Sequence, residues 1–221
     1  MQLLKIDSPE QATETLVAAL KAALEKQPAV TWLVPGGSNI AITVAAMAGL
    51  PDALTEKLII AQTDERYGEL GHQDSNWRQL IEAGFQLKKA KALPILTNEP
   101  LSLQGTATRY AKNIGKLIML TYKIGQFGIG PDGHIAGIKP DSPAAVANGL
   151  AVGYQAEDFE RVTITFGAIR QLDEAFAFVF GENKRATLEA LANEHHQPLL
   201  QPAQILKSLS NSLVYNDQIA G

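Results

Sequence analysis

The 221-residue chain contains no cysteine. Disulfides, thiolate zinc sites and cysteine nucleophiles are therefore excluded, and any chemistry must rest on oxygen and nitrogen groups. No apolar run approaches the ~20 residues of a membrane-spanning helix, so a soluble protein with no membrane partner is expected. Basic residues do not prevail: 19 Lys and Arg stand against 23 Asp and Glu, for a net charge of −4, and no long basic run occurs. That balance argues against nucleic acid as the main partner. An anionic ligand would have to be met by local donors rather than by the global field. The 4 histidines show no paired spacing such as H-E-x-x-H, so no metal site is expected. The stretch MQLLKIDSPEQA lacks a basic region followed by an apolar one. No secretory signal is expected from it, and the cytoplasm is the expected compartment. Nothing in the pattern sets an oligomeric state.

What is present is an alternation of helical and strand patterns. SPEQATETLVAALKAALEKQ opens with Ser8 as N-cap, Pro9 at the first helical position and Gln11 as a capping-box partner. Leu16, Ala19, Leu20, Ala23 and Leu24 then share one helical face. AVTWLV (29–34), EKLIIAQ (56–62), part of IMLTYKIGQFGIG, VTITF (162–166), AFAFVFG (175–181) and NSLVYND read as strands, with ALPIL a shorter one. Helices are read in SNIAITVAAMAGL, begun by Ser38, and in DSNWRQLIEAG, from Asp74 to a Gly84 stop. TATRYAKNIGKL and ENKRATLEALANE complete the helical set. This order indicates one α/β domain over residues 1–221, with a mainly parallel sheet flanked by helices. The segment 142–160 is the most irregular and is read as a surface excursion.

Three strands end in unusual loops: Pro35-Gly36-Gly37-Ser38-Asn39, Thr63-Asp64-Glu65-Arg66, and Gly128 through His134. Ligands of open α/β sheets bind outside the carboxyl ends of the strands, so these loops are expected to share one crevice. In the first, two glycines allow close backbone approach and the following helix start offers free N–H groups, as a phosphate cradle requires. An ordinary tight turn with Ser38 as a cap has the same residues. In the second, one carboxylate holds or deprotonates a substrate and Arg66 meets an anion, or the charges form a solvated ion pair. Asp74 and Ser75 read as caps, and His72 as a surface histidine. In the third, His134 is a natural general base near neutral pH, and Asp132, two residues earlier, is placed to orient its ring. His195 and His196 sit at a helix end, where the dipole favours them.

With these loops in hand, the chain resembles the 6-phosphogluconolactonases and, more distantly, the glucosamine-6-phosphate deaminases. The resemblance rests on PGGS (35–38), DER (64–66) followed by DSN (74–76), GIGPDGHIAGIKP (128–140), RVTITF (161–166), GENKRATL (181–188) and QPAQIL near the C-terminus. It implies a Rossmann-like fold of the sugar-phosphate isomerase/lactonase type, and hydrolysis of 6-phosphoglucono-δ-lactone without metal or organic cofactor. The partner it implies is a small phosphorylated sugar lactone. It further implies that His134 is the general base, that Asp132 supports it and that Asp64 belongs to the catalytic set. Gly36, Gly37 and Ser38, with Arg66, Arg161 and Lys184, become the candidates for anchoring the phosphate or the developing oxyanion. Two departures stand out. The lactonase pattern after the histidine runs T-A-S-L-F-P, whereas here it is Ile135-Ala136-Gly137-Ile138-Lys139-Pro140, and Asn39 replaces the usual threonine after GGS. The deaminase glutamate would fall at Lys139, which cannot act as that carboxylate. A deaminase-like isomerase and a non-catalytic sugar-phosphate binder remain the alternatives.

Overall fold

The structure, a computed structural model, describes residues 1–6 and 8–220. Its strands are β1 (Gln2–Lys5), β2 (Val30–Val34), β3 (Leu58–Gln62), β4 (Asp64–Arg66), β5 (Lys91–Leu93), β6 (Tyr122–Phe127), β7 (Ala151–Gln155), β8 (Glu160–Ile164), β9 (Glu174–Val179) and β10 (Ser212–Asn216). Its α-helices are α1 (Pro9–Lys26), α2 (Ile40–Gly49), α3 (Asp52–Thr55), α4 (Asn76–Glu82), α5 (Leu103–Leu120), α6 (Phe166–Ile169) and α7 (Arg185–Asn193).

Seven strands form one parallel sheet in the order β1-β10-β9-β6-β2-β3-β5. The chain runs outward from β2 through β3 to β5, then returns to β6 on the other side of β2. That reversal is the topological switch point at which α/β sheets open a crevice. The central strands are apolar throughout, as strands covered on both faces must be. Alternate residues serve opposite faces: Trp32 and Val34 pack with Ile60, Ile124 and Phe178 beneath α1 and α2. Leu33, between them in sequence, joins Ala61, Phe127 and Ala177 beneath α5. Leu16, Leu20 and Leu24 bring α1 onto the first face, with Ala12 and Ala23; Ala19 is only partly buried.

The remaining strands make a second sheet, β4-β8-β7, which is antiparallel. VTITF therefore belongs not to the parallel sheet but to this smaller one. Within 142–160 lie a 3₁₀ turn (Pro143–Val146) and β7. The 15-residue spacing of a surface excursion thus hides a strand whose Tyr154 is buried in the core beside Ile164 and Val162.

Helix starts also differ from the sequence reading. Ser8 precedes α1 and Pro9 occupies its first turn, but the Ser8 side chain accepts no capping hydrogen bond. Ser38 does not begin α2; it lies inside a 3₁₀ turn (Gly37–Asn39) that leads into the helix at Ile40. The helix read from Asp74 starts at Asn76, with Ser75 accepting from the Arg78 N–H as its cap and Gly84 in the left-handed region at φ +95 just beyond its end.

Candidate active site

The segments that follow β2, β3 and β6 meet in one open cleft of about 530 Å³. Its floor is the switch point between β2 and β6. One wall is the 35–39 turn, a second the 128–139 loop, and the third the small antiparallel sheet. All nine candidate residues line it: Gly36, Gly37, Ser38, Asp64, Arg66, Asp132, His134, Arg161 and Lys184.

The 128–139 loop is built to hold an imidazole. Gly130 N–H donates to the His134 carbonyl and Gly133 N–H to the Gly130 carbonyl, each at 3.0 Å, closing a tight turn. Ile129, Ile135 and Ile138 are buried and pair through isolated bridges, so the small-residue stretch is pinned into the core at three points. The turn is braced from outside by Ala203 N–H, which donates to the Gly133 carbonyl at 2.9 Å, and by the Thr187 hydroxyl on the Pro131 carbonyl. Thus the QPAQIL stretch and the first turn of α7 act as buttresses. Gly130 leaves room for the ring itself: a Cβ there would lie 2.1 Å from His134 Nδ1.

His134 Nδ1 meets Asp132 Oδ1 at 2.6 Å, and the same oxygen accepts from the His134 backbone N–H at 3.1 Å. Partial burial works against the Asp132 charge, but the hydrogen bond and charge of His134 outweigh it and bring the carboxyl down to about 2. An ionised acceptor on Nδ1 places the proton of a neutral ring there and leaves Nε2 with its lone pair free. The side chain is 36% exposed, so solvent reaches the ring. Lys184 stands near Asp132 at the start of α7; burial pushes its ammonium down and the Asp132 charge pulls it back up.

The opposite wall is cationic. In the antiparallel β4–β8 pair, Arg66 and Arg161 are direct cross-strand partners. Like charges so placed repel, and the surroundings are arranged to hold them. Both guanidinium groups face the Phe159 ring, at 5.1 and 5.6 Å from its centroid. Arg66 Nη1 donates to the Asp74 carbonyl at 2.9 Å, while Arg161 Nη2 donates to Asp158 Oδ2 at 2.6 Å and its Nη1 lies 3.7 Å from Asp64 Oδ2. Arg161 is only 8% exposed and Asp64 6%. The Nε atoms of both arginines are buried without a partner among the described residues.

Between these walls lies a polar girder that the sequence reading did not single out. Glu65, fully buried, accepts from Arg66 N–H and Asn76 N–H on Oε1, and from Gln62 Nε2, the Ser75 hydroxyl and Trp77 N–H on Oε2, at 2.6–3.0 Å. Burial pushes its carboxyl up from the ordinary 4.5, against the pull of these donors. Glu65 thereby ties β4 to the start of α4. Asn76 Nδ2 in turn donates to the Asp64 carbonyl at 3.1 Å. The Gly36 backbone packs directly on that amide, since a Cβ on Gly36 would sit 2.2 Å from Asn76 Oδ1. Gly37, at φ +64, takes the left-handed turn that starts the 3₁₀ segment. The first N–H groups of such a turn have no partner within it and are directed to whatever occupies the cleft.

Asp158 and Lys139 also line the cleft. Asp158 could be read from the sequence only as the residue three before Arg161. His72, by contrast, is occupied: its Nε2 lies 3.0 Å from the Arg66 carbonyl. His196 pairs with Glu194 beyond the end of α7. Among the described residues no three histidine or carboxylate side chains stand together as a metal's donor set, and no helix is long and apolar enough to cross a membrane.

Known proteins share this arrangement. A 6-phosphogluconolactonase of Helicobacter pylori is 27% identical over 94% of this chain and 93% of its own length. One from Caulobacter vibrioides is also 27% identical, over 91% of this chain and 88% of its own. Among solved structures, a 6-phosphogluconolactonase of Thermotoga maritima superposes with a TM-score of 0.84 over 97% of this chain and 98% of that one, at 19% identity, a likeness of fold. The family of glucosamine-6-phosphate isomerases and 6-phosphogluconolactonases matches residues 7–215, and the chain belongs to it.

Proposed function

We propose that this protein hydrolyses 6-phosphoglucono-δ-lactone to 6-phosphogluconate, with His134 as general base, a step of the pentose phosphate pathway. The observation that carries the reading is the 2.6 Å contact of Asp132 with His134 Nδ1, which leaves Nε2 free on the wall of a cleft whose other wall holds two arginines. The activity of the bacterial relatives supports the choice of substrate.

A δ-lactone is already an activated ester and needs no covalent nucleophile. His134 Nε2 takes a proton from water as the water oxygen bonds to the lactone carbonyl carbon. The imidazolium so formed is stabilised by the ionised Asp132. The carbonyl oxygen becomes an oxyanion, met by the free N–H groups of the Gly36-Gly37-Ser38 turn or by a neighbouring cation. Collapse of the tetrahedral species breaks the bond between that carbon and the ring oxygen, which receives the proton back from His134. One water is consumed and the open-chain acid results. Proton transfer by a placed base contributes about 10²–10⁴-fold. Arg66, Arg161 and Lys184 hold the phosphate, and that remote anchor keeps the carbonyl beside the base. Asp64, buried against Arg161, accepts a hydroxyl of the sugar.

The test is acid release from the phosphorylated lactone, corrected for the spontaneous reaction, run beside ammonia release from glucosamine 6-phosphate. Enzymatic acid release without ammonia supports the reading. Ammonia release, or sugar-phosphate binding without turnover, overturns it. Lys139, at the position of the deaminase glutamate, offers no carboxylate for the deaminase route.

A further inference from the structure

We propose that Lys139 and Arg161 form a phosphate-binding pair that Asp158 occupies in the free protein, and that the phosphate ester of the substrate binds by displacing the Asp158 carboxylate. The inference rests on the reading of the cleft as a sugar-phosphate site and names which of its cations meet the phosphate.

The observation is a single shared oxygen. Asp158 Oδ2 lies 2.6 Å from Arg161 Nη2 and 3.4 Å from Lys139 Nζ, and all three residues line the cleft. An oxyanion within reach of both cations is therefore already present, supplied by the chain itself. The two cations come from separate elements, the loop after His134 and strand β8, so the pairing is a product of the fold. Arg66 joins them through Phe159, the residue next to Asp158, whose ring faces both guanidinium groups. Three cations thus stand around one carboxylate, with Asp64 as the second acid. A phosphate dianion matches this group better than the monoanion it replaces, because it offers more acceptor oxygens and twice the charge.

Asp158 is suited to leave. Its side chain is 41% exposed, whereas that of Arg161 is 10%. It sits on the turn between β7 and β8, closed by Ala156 N–H on the Phe159 carbonyl at 2.9 Å. Exposed ion pairs are weak, so displacement is a small penalty set against charge-assisted hydrogen bonds to phosphate. Burial works against its charge, yet Arg161 and Lys139 hold the carboxyl down at about 2, so Asp158 is ionised throughout the neutral range. Lys139 stands where the family pattern has phenylalanine, so this pair distinguishes the chain from its relatives.

The experiment is calorimetric titration of the full chain with inorganic phosphate at fixed ionic strength, with gluconate as the carboxylate control. Lys139→Met is expected to weaken phosphate binding by about tenfold or more, and Lys139→Arg to restore it. Asp158→Asn removes the competitor and is expected to tighten phosphate binding, by up to about fivefold. Gluconate binding is expected to change little in any variant. Unchanged affinity in Lys139→Met overturns the inference, as does weaker binding in Asp158→Asn, which would make Asp158 a support for Arg161 rather than a competitor. A larger effect on gluconate than on phosphate also overturns it, because the pair would then serve a carboxylate. Binding is read without turnover. A wild-type protein that binds phosphate with this ranking but hydrolyses no lactone refutes the proposed reaction and leaves the inference standing; the converse result separates them equally well.

Discussion

Replacing Glu65 by glutamine changes one oxygen to an amide nitrogen and tests the girder that carries two walls of the cleft. In the native protein both carboxylate oxygens face donors only. Oε1 meets two backbone N–H groups, and Oε2 meets the Trp77 N–H, the Gln62 amide and the Ser75 hydroxyl. Gln62 cannot turn its amide without cost, because its Oε1 accepts from Ile95 N–H at 2.8 Å. Ser75 Oγ already accepts from Arg78 N–H at 3.1 Å. Whichever way the new amide points, its NH₂ faces donors, and at least two buried groups lose their partner. Each such loss costs about 1–3 kcal/mol, so Glu65→Gln is expected to destabilise by about 2–6 kcal/mol. For a protein of this length that lowers the melting temperature by roughly 5–20 °C. Asp64 and Arg66 flank Glu65 in β4, so activity is expected to fall even where the variant remains folded. Urea unfolding monitored by tryptophan fluorescence, together with kcat/KM below the transition, reads both effects. A variant within about 0.5 kcal/mol of the parent, the ordinary range for an uncoupled surface change, would refute the account of Glu65 as the group that fixes this wall.

Three further outcomes follow from the same geometry. Gly130→Ala puts a methyl where the His134 ring stands; kcat is expected to drop by an order of magnitude or more while the melting temperature moves little, and an unaffected kcat would show that the ring has room elsewhere. Ala136 lies in the left-handed region at φ 52 on the cleft wall, so Ala136→Gly is expected to raise stability by up to about 1 kcal/mol; a loss in thermal melts would contradict the strain. Asp132 and Asp158 each have a carboxyl lowered from 3.8 to about 2. A depressed carboxyl contributes stability that is present above its ordinary value and lost as pH falls through the lowered one. Acid titration of the melting temperature is therefore expected to steepen between about pH 4 and 2, and Asp132→Asn to flatten that limb; both groups are well exposed, so each contributes no more than about 1 kcal/mol.

The sequence made the parallel sheet legible because its strands are buried on both faces and read as apolar runs between glycine and polar punctuation. It made the meeting of three loops legible because strand ends of an α/β sheet converge. The small antiparallel sheet was hidden for physical reasons. β4 is three charged residues, DER, too short and too polar to show a period of two, and β7 carries Gly153 at its centre against Leu103 of α5. Those departures from strand-like composition occur where β4 and β8 turn Asp64, Arg66 and Arg161 toward the cleft. Glu65 and Asn76 gave no signal of their own, since a buried carboxylate and an exposed one look alike in a list of residues. Asp158 was equally silent: its contact with Lys139 spans 19 positions and exists only once the β7–β8 turn folds over the loop after His134.

The most direct measurement is the rate of lactone hydrolysis by His134→Gln beside the parent, each corrected for the spontaneous reaction and each shown by melting to be folded. The account predicts a fall in kcat of about 10²–10⁴-fold with little change in KM. A folded variant that hydrolyses the lactone as fast as the parent would contradict the assignment of the imidazole as the base.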